Sequence, residues 1–144
     1  MKYIRATKED IPVLYEMMLE FARFEKEPDG VENNPERMEK DWEAANWLIA
    51  YSKDNKACGY ASFCYTYNTW RGKSAYLDDL YIREAYRGHG IGKGMLDTVT
   101  KICSENGCLQ LRWLVSDWNT HAQEFYKKYG ASITTKEYNC RIDL

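Results

Sequence analysis

Length, composition and charge describe a folded protein with enough apolar material for a core. The chain has 144 residues, of which 44% are hydrophobic and 15% aromatic. Its 20 basic and 22 acidic residues leave a net charge of −2, which argues against generic nucleic-acid binding. We expect a single domain spanning residues 1–144.

Cysteine usage and hydropathy exclude several other classes of protein. The five cysteines are an odd number without a C-x-x-C pair, so neither a disulfide framework nor a metal site is indicated. No apolar run approaches the ~18 residues that a membrane span needs, and the first residues lack the apolar core of a signal peptide. These features predict a small cytoplasmic protein that binds no metal, membrane or nucleic acid.

The spacing of apolar residues predicts ten or eleven secondary-structure elements. In chain order they are a strand near 3–5, helices over 11–22 and 34–44, strands over 47–51, 57–67 and 76–82, a helix from a glycine-rich turn to about 105, a strand over 109–115, a helix capped by Asn119 and ended by Gly130, and one or two short strands within 132–144. The hairpins imply antiparallel pairs, and a helix between two strands implies a right-handed parallel crossover. We therefore predict an α/β fold whose mixed sheet carries helices on both faces.

The glycine-rich turn between a strand and a helix is the most informative stretch. The strand Tyr76–Ile82 is followed by Arg87-Gly-His-Gly-Ile-Gly92, after which apolar residues recur at helical spacing. Glycines let backbone N–H groups approach an anion closely, and a helix N-terminus adds unpaired donors and the positive end of its dipole. The turn therefore predicts a phosphate or pyrophosphate site.

Two familiar phosphate motifs do not fit this turn. A dinucleotide fingerprint beginning at Gly88 would need glycine where Lys93 stands. A P-loop would need glycine in place of Arg87 and serine or threonine in place of Gly94. The pattern that fits is Arg-x-x-Gly-x-Gly over residues 87–92, with a glycine-rich turn that binds nothing as the alternative.

Two adjacent acids, Asp78 and Asp79, interrupt the otherwise apolar strand before the turn. Successive side chains of a regular strand face opposite sides of the sheet, so both acids could serve one site only if a bulge intervenes. Either one could act on a substrate, or could simply be a solvated or hydrogen-bonded carboxylate.

Several ordered motifs resemble one family of enzymes. The pattern at 87–92 resembles the acyl-CoA pyrophosphate loop of the GNAT superfamily of N-acyltransferases. The stretches 63–73, 76–79, 86–92, 114–119 and 125–131 resemble, more closely, its spermidine/spermine acetyltransferase branch, which also includes enzymes that acetylate thialysine and other small amines. The likeness runs from the first helix to Ala131, and the segment after Ala131 matches poorly.

The resemblance implies a fold and an activity. The fold would be GNAT-like, with a mixed, mostly antiparallel sheet of six to seven strands flanked by about four helices. The activity would be direct transfer of the acetyl group of acetyl-CoA to a primary amine of a small cationic substrate: a polyamine, a diamine or a thialysine-like compound. The resemblance also implies a homodimer. A protein or peptide N-acetyltransferase and a non-catalytic acyl-CoA sensor are the alternatives.

The resemblance also implies roles for particular residues. Tyr126 would protonate the departing CoA thiolate, and Asp78 would help to deprotonate the amine through water. Cofactor-binding positions would be Leu80, Tyr81, Ile82, Arg87, Gly88, His89, Gly90, Ile91, Gly92, Lys93 and Asn119. Substrate-side positions would be Phe24, Glu25, Asp78, Asp79, Arg112 and Trp113.

Acid–base chemistry supports such roles independently. An alkylammonium titrates near ~10.4, so exposing its neutral form at pH 7 costs about 4.6 kcal/mol, and a carboxylate that accepts the proton is needed. A tyrosine, with a pKa near ~10, stays protonated and can act as the acid for a thiol that titrates near ~8.5. The resembled enzymes usually carry the longer glutamate where Asp78 stands, so Asp79 could share its work.

Overall fold

The computed structural model describes residues 1–144 as five strands and four α-helices. The strands are β1 Lys2–Arg5, β2 Asn46–Tyr51, β3 Ala57–Asn68, β4 Gly72–Ile82 and β5 Leu111–Arg112. The helices are α1 Ile11–Phe24, α2 Pro35–Lys40, α3 Ile91–Glu105 and α4 Thr120–Tyr129. The chain divides into two compact units, Met1–Leu114 and Val115–Leu144, each described by itself below.

One sheet in the order β1-β2-β3-β4-β5 organises the first unit. Strands β1 to β4 form antiparallel neighbours, whereas β5 pairs with β4 in parallel. The parallel pairing is short and joins Ala75 to Leu111 and Tyr76 to Arg112. The predicted mixed sheet, with α3 as its crossover helix, is confirmed.

Helices pack on both faces of this sheet. One face holds a buried cluster around α1, which comprises Ile11, Leu14, Met17, Met38, Ile49, Ala57, Tyr60 and Tyr81. On the other face, Tyr3 pairs with Ala50 and its hydroxyl donates to the Ile91 carbonyl of α3 over 3.4 Å. Since neighbouring strand residues such as Ile49 and Ala50 point to opposite faces, α1 and α3 lie on opposite sides of the sheet.

Gly94 allows α3 to approach the sheet closely. A Cβ atom at this position would overlap the hydroxyl group of Tyr3. The close approach seats the first turn of α3, and therefore the glycine-rich turn before it, against β1.

The predicted number of strands is wrong, and so is the predicted length of the fifth strand. The sheet has five strands rather than six to seven, because residues 132–144 form no regular element and expose their side chains, so they offer no buried face to a sheet. The strand predicted over 109–115 shrinks to Leu111–Arg112, and Leu109 and Leu114 on either side stay exposed at 71% and 66%. Alternating leucines alone did not produce burial there.

Helix α2 is also shorter than predicted. It ends at Lys40, and the 3-10 turn Trp42–Ala44 replaces the last predicted turn. The side chain of Asn34 caps its start by accepting from the N–H of Arg37 at 2.9 Å, and Pro35 occupies the first helical position.

The second unit contains α4. Asn119 caps this helix by accepting from the N–H of Ala122 at 3.1 Å, and Gly130 ends it with φ +104°, both as predicted. Across the whole chain, no helix combines the length and hydropathy that crossing a membrane requires.

Candidate active site

A β-bulge at Asp78 is the central feature of the candidate site. The adjacent β3 residues Ser62 and Phe63 pair with Asp79 and Leu77 of β4. Asp78, which lies between those two β4 residues, therefore has no partner on β3. A bulge interrupts the alternation of side chains along a strand. Asp78 and Asp79 consequently line the same cleft, and the condition for two adjacent acids to share one site is met.

The cleft measures about 410 Å³, within the ~300–1,000 Å³ that is usual for small-molecule sites. Its walls come from β2, β3 and β4, from α1 and from the region around α2. The lining residues are Met18, Asn33, Arg37, Met38, Asp41, Ala44, Ala45, Trp47, Ser62, Phe63, Cys64, Tyr76, Asp78 and Asp79. A small molecule therefore fits, and it would meet charged groups on two different walls.

Asp79 is the more buried of the two acids. The hydroxyl of the fully buried Tyr60 donates a 2.7 Å hydrogen bond to its Oδ2 atom. Desolvation is the largest influence on the pKa of Asp79 and raises it, the Tyr60 hydrogen bond lowers it, and the charges of Asp78 and Glu25 raise it. Together these effects bring the pKa to about 6. This carboxyl group can therefore exchange a proton near neutral pH.

Asp78 and Glu25 complete an acidic group around Asp79. Partial desolvation in the cleft raises the pKa of Asp78, although its side chain keeps contact with solvent. Glu25, at the end of α1, lies near enough for its charge to raise the pKa of Asp79. Three predicted substrate-side residues are therefore brought together.

Ser62 is a site residue that sequence analysis missed. It is only 3% exposed, it lines the cleft beside Asp79, and its Oγ atom has no hydrogen-bond partner. An unsatisfied buried hydroxyl costs about 1–3 kcal/mol, so a ligand or water that hydrogen-bonds to it would remove that cost. The available signal was a polar residue within the apolar run Ala57–Phe63.

The open edge of β4 lies beyond its short pairing with β5. The N–H of Arg83 donates to the Cys58 carbonyl of β3 at 2.8 Å. Because backbone groups alternate along a strand, those of Leu80 and Ile82 point away from β3, whereas those of Tyr81 point toward it. Leu80 and Ile82 can thus pair with an extended ligand arm as an added strand would.

The glycine-rich turn has the backbone geometry that an anion site needs. Gly88 and Gly90 have φ values of +78° and +74°, and a Cβ atom on either would meet nothing within 4 Å. Gly90 precedes α3, and no side chain caps that helix. First-turn N–H groups have no acceptor within their own helix, so they and the dipole of α3 favour an anion here.

Arg87 anchors this turn to the rest of the first unit. Its Nε atom donates to the Ile82 carbonyl at 2.8 Å, and its guanidinium carbon lies 4.4 Å from the ring centroid of Phe24 and 5.7 Å from that of Tyr81. The ring of His89 turns back to the Arg87 carbonyl, 2.8 Å from Nδ1. Phe24 thus contacts the turn and is not among the residues that line the cleft.

Arg112 and Trp113 are also absent from the cleft lining. Arg112 lies on β5 opposite Tyr76, and its charge partly offsets the desolvation and neighbouring charges that raise the pKa of that tyrosine. The substrate-side role predicted for these two residues therefore receives no support from the cleft's composition.

The second unit holds Asn119 and Tyr126. Tyr126 is buried in α4, with its ring 5.3 Å from that of Phe125. The side-chain oxygen of Asn119 is used as the helix cap. The acid role of Tyr126 and the cofactor role of Asn119 stay predictions.

Comparison with known proteins supplies the family. The sequence profile described as "Acetyltransferase (GNAT) family" matches residues 12–131, most of the chain. The chain belongs to the GNAT acetyltransferase family. It is therefore an enzyme, an N-acetyltransferase, and members of this family draw the acetyl group from acetyl-CoA.

Individual GNAT relatives indicate the branch. Thialysine N-epsilon-acetyltransferase of Bos taurus is 34% identical over 145 residues, which covers 92% of this chain and 85% of that protein. Spermidine/spermine N(1)-acetyltransferase-like protein 1 of Homo sapiens is 31% identical over 138 residues, covering 89% of this chain and 20% of that protein. The branch suggested by the sequence motifs is confirmed.

Solved GNAT structures agree on the fold. An aminoglycoside acetyltransferase from an uncultured soil metagenomic sample superposes with a TM-score of 0.83 at 17% identity, over 99% of this chain and 96% of that one. Within this GNAT enzyme, no group of three or more His, Cys, Asp or Glu side chains is arranged to hold a metal ion.

Proposed function

We propose that this GNAT enzyme transfers the acetyl group of acetyl-CoA directly to a primary amine of a small cationic substrate, a polyamine, diamine or thialysine-like compound. Of the relatives named above, one is by its name a thialysine acetyltransferase, and the other is named for its likeness to a spermidine/spermine acetyltransferase. The observation that carries the proposal is the Asp78 bulge, which gives one small cleft two carboxylates. We further expect a cytoplasmic homodimer.

The residues present suit the cofactor. The backbone groups of Leu80 and Ile82 would hold the pantetheine arm, and the N–H groups between Gly88 and Lys93 would hold the pyrophosphate. When bound, acetyl-CoA supplies an activated acetyl thioester. Arg87 would fix the turn against α1 through its contacts with Phe24 and Ile82 rather than act as a reacting group.

Asp79 is the better candidate for the proton acceptor. A substrate enters as an ammonium ion, which Asp78 and Asp79 attract, and Asp79 with a pKa of about 6 is ionised at neutral pH yet basic enough to hold a proton. Loss of that proton frees the nitrogen lone pair for attack on the acetyl carbonyl. The exposed Asp78 would chiefly attract the cation, which revises its predicted role as the principal base.

Ser62 and Tyr126 complete the proposed machinery. The Ser62 hydroxyl, buried next to Asp79 without a partner, would hydrogen-bond the amine or the water that relays its proton. Tyr126 would give a proton to the CoA sulfur as it leaves, so that no charged thiolate is released. This acid role rests on the motif Phe125–Ala131.

Product mass spectrometry tests the proposal. Purified enzyme and acetyl-CoA are incubated with a panel of spermidine, spermine, short diamines, thialysine, lysine, aminoglycosides and a peptide with a free N-terminus. The proposal predicts acetylation of one or more small amines, in excess of the peptide. Peptide acetylation alone would favour a protein N-acetyltransferase, and acetyl-CoA binding without any product would favour a sensor.

A further inference from the structure

Two opposite charges, Arg37 and Asp41, line the cleft on the wall formed around α2. The acidic pair Asp78 and Asp79 belongs instead to β4. Both Arg37 and Asp41 are exposed, whereas the cleft lining also includes buried residues such as Met38. The cleft therefore has a charged rim in addition to its acidic pair.

The two charged side chains of this rim do not form an ion pair with each other. Arg37 and Asp41 have the i, i+4 spacing at which side chains often pair, yet no ion pair joins them. The guanidinium of Arg37 donates from Nη1 to the Glu32 carbonyl at 3.3 Å, and this hydrogen bond leaves its charge without a carboxylate. A guanidinium has five N–H donors, so most of them remain for a ligand.

Arg37 is the one basic side chain among the residues that line the cleft, against three carboxylates. A diamine or polyamine carries positive charges only, so its second amine could pair with Asp41 but would leave the Arg37 guanidinium without a partner. A lysine-like amino acid carries an ammonium at one end and both a carboxylate and an ammonium at the other. Arginine binds carboxylates in a two-point fork, and an aspartate suits an ammonium.

We propose that Arg37 and Asp41 are specificity-determining residues that bind the α-carboxylate and the α-ammonium of a free amino acid. The side-chain amine of that amino acid then reaches Asp78 and Asp79 and is acetylated. The substrate class is an α-amino acid with a terminal side-chain amine, lysine-like or ornithine-like. This inference rests on the proposed function and narrows it.

Matched substrate pairs isolate each contact. Lysine and cadaverine differ only in the α-carboxylate, and lysine and Nα-acetyl-lysine differ in the α-ammonium. We expect wild-type kcat/KM to be higher for lysine than for cadaverine. Arg37→Gln should lower the lysine-to-cadaverine ratio of kcat/KM by at least about tenfold, the loss expected for a charge-assisted pair.

Asp41→Asn should lower kcat/KM for lysine and leave that for Nα-acetyl-lysine little changed. Lys40→Gln is the matched control, because it removes one positive charge from α2 at a residue that does not line the cleft. This control variant should keep the wild-type ratio of kcat/KM for lysine to kcat/KM for cadaverine. Thermal unfolding and acetyl-CoA binding, measured on every variant, establish that the fold and cofactor site persist.

The outcomes separate this inference from the function on which it rests. Acetylation of cadaverine or spermidine in preference to lysine, or an Arg37→Gln variant that affects both substrates equally, would overturn the rim's role while leaving amine acetylation intact. Absence of any acetylated amine would remove the proposed function, and this inference with it. A lysine-to-cadaverine ratio of kcat/KM that falls in Arg37→Gln and is unchanged in Lys40→Gln supports the inference.

Discussion

The Tyr60 hydroxyl donates a 2.7 Å hydrogen bond to Asp79, and it is the one contribution that lowers the pKa of this carboxyl group. Without that bond, desolvation and the charges of Asp78 and Glu25 would act unopposed. The pair therefore sets the pH range in which the proposed base is ionised.

Tyr60→Phe should move the acidic limb of the pH–rate profile to higher pH. In the wild type, activity is expected to rise as the pH passes through about 6, because Asp79 loses its proton there. Loss of the hydrogen bond raises the pKa of Asp79 and shifts that rise upward. The shift is measured from the profile of kcat/KM between pH 5 and about 8.5, a range in which the substrate amine stays protonated. An unshifted limb would exclude Asp79 as the group that titrates.

Asp79→Asn should be more stable but less active than the wild type at neutral pH. The pKa of Asp79 is raised on folding from 3.8 to about 6, so the native state binds more protons than the unfolded state between these values, and wild-type stability falls as pH rises through this window. The uncharged asparagine removes that cost, worth roughly 1–3 kcal/mol above pH 6. Urea unfolding at pH 4 and pH 8 should show the gain only at pH 8. An equal effect at both pH values would contradict the assignment.

Gly90→Ala should weaken acetyl-CoA binding beyond its effect on stability. Gly90 has φ +74°, and an alanine there would suffer strain of about 1 kcal/mol and place a methyl group at the proposed pyrophosphate cradle. Gly107→Ala is a matched control, since its φ is +77°, its Cβ would also meet nothing, and it lies at the other end of α3. Calorimetric titration should show a loss of affinity only in Gly90→Ala. Equal affinities in the two variants would argue against the cradle.

Tyr126→Phe should keep acetyl-CoA affinity and lose ~10²–10⁴ in turnover, the usual contribution of a general acid. Tyr129→Phe removes a hydroxyl from the same helix, outside the predicted machinery, and should stay active. Steady-state rates with a saturating amine compare the two. Full turnover by Tyr126→Phe would remove this residue from the mechanism.

Ser62→Ala should not destabilise the protein. The Ser62 hydroxyl is buried without a partner, so its removal takes away a desolvated polar group and leaves the packing nearly unchanged. If the hydroxyl contacts the amine or its water, kcat/KM falls although the melting temperature holds or rises. A clear fall in melting temperature would indicate a hydrogen bond to the hydroxyl in solution, and wild-type kcat/KM would remove Ser62 from the site.

Most of the fold, including the glycine-rich turn before α3, could be predicted from local patterns. Glycines before an amphipathic helix, and Asn119 as a cap, act through neighbouring backbone, so their consequences are visible in a short stretch. The five motifs identified the family and branch. The strands expected after residue 131 failed because alternation within a short segment does not ensure that another surface buries it.

The substrate cleft could be predicted only in part, because it depends on register. Asp78 and Asp79 were visible as odd acids in an apolar strand, yet the bulge that joins them is a mismatch with β3 more than ten residues away. Arg37 and Asp41 meet the cleft only through the packing of α2, whose charges otherwise look like an ordinary solvated face. Phe24 was expected at the amine and instead stacks on Arg87.

Initial rates of amine acetylation by the wild type, Asp78→Asn, Asp79→Asn and the double variant test the central claim most directly. Each would be measured at pH 7 with saturating acetyl-CoA and the preferred amine, with acetyl-CoA affinity determined in parallel. The account predicts that both single variants slow, Asp79→Asn the more, and that the double variant falls to background while its acetyl-CoA affinity is unchanged. A double variant that acetylates the amine at the wild-type rate would contradict it.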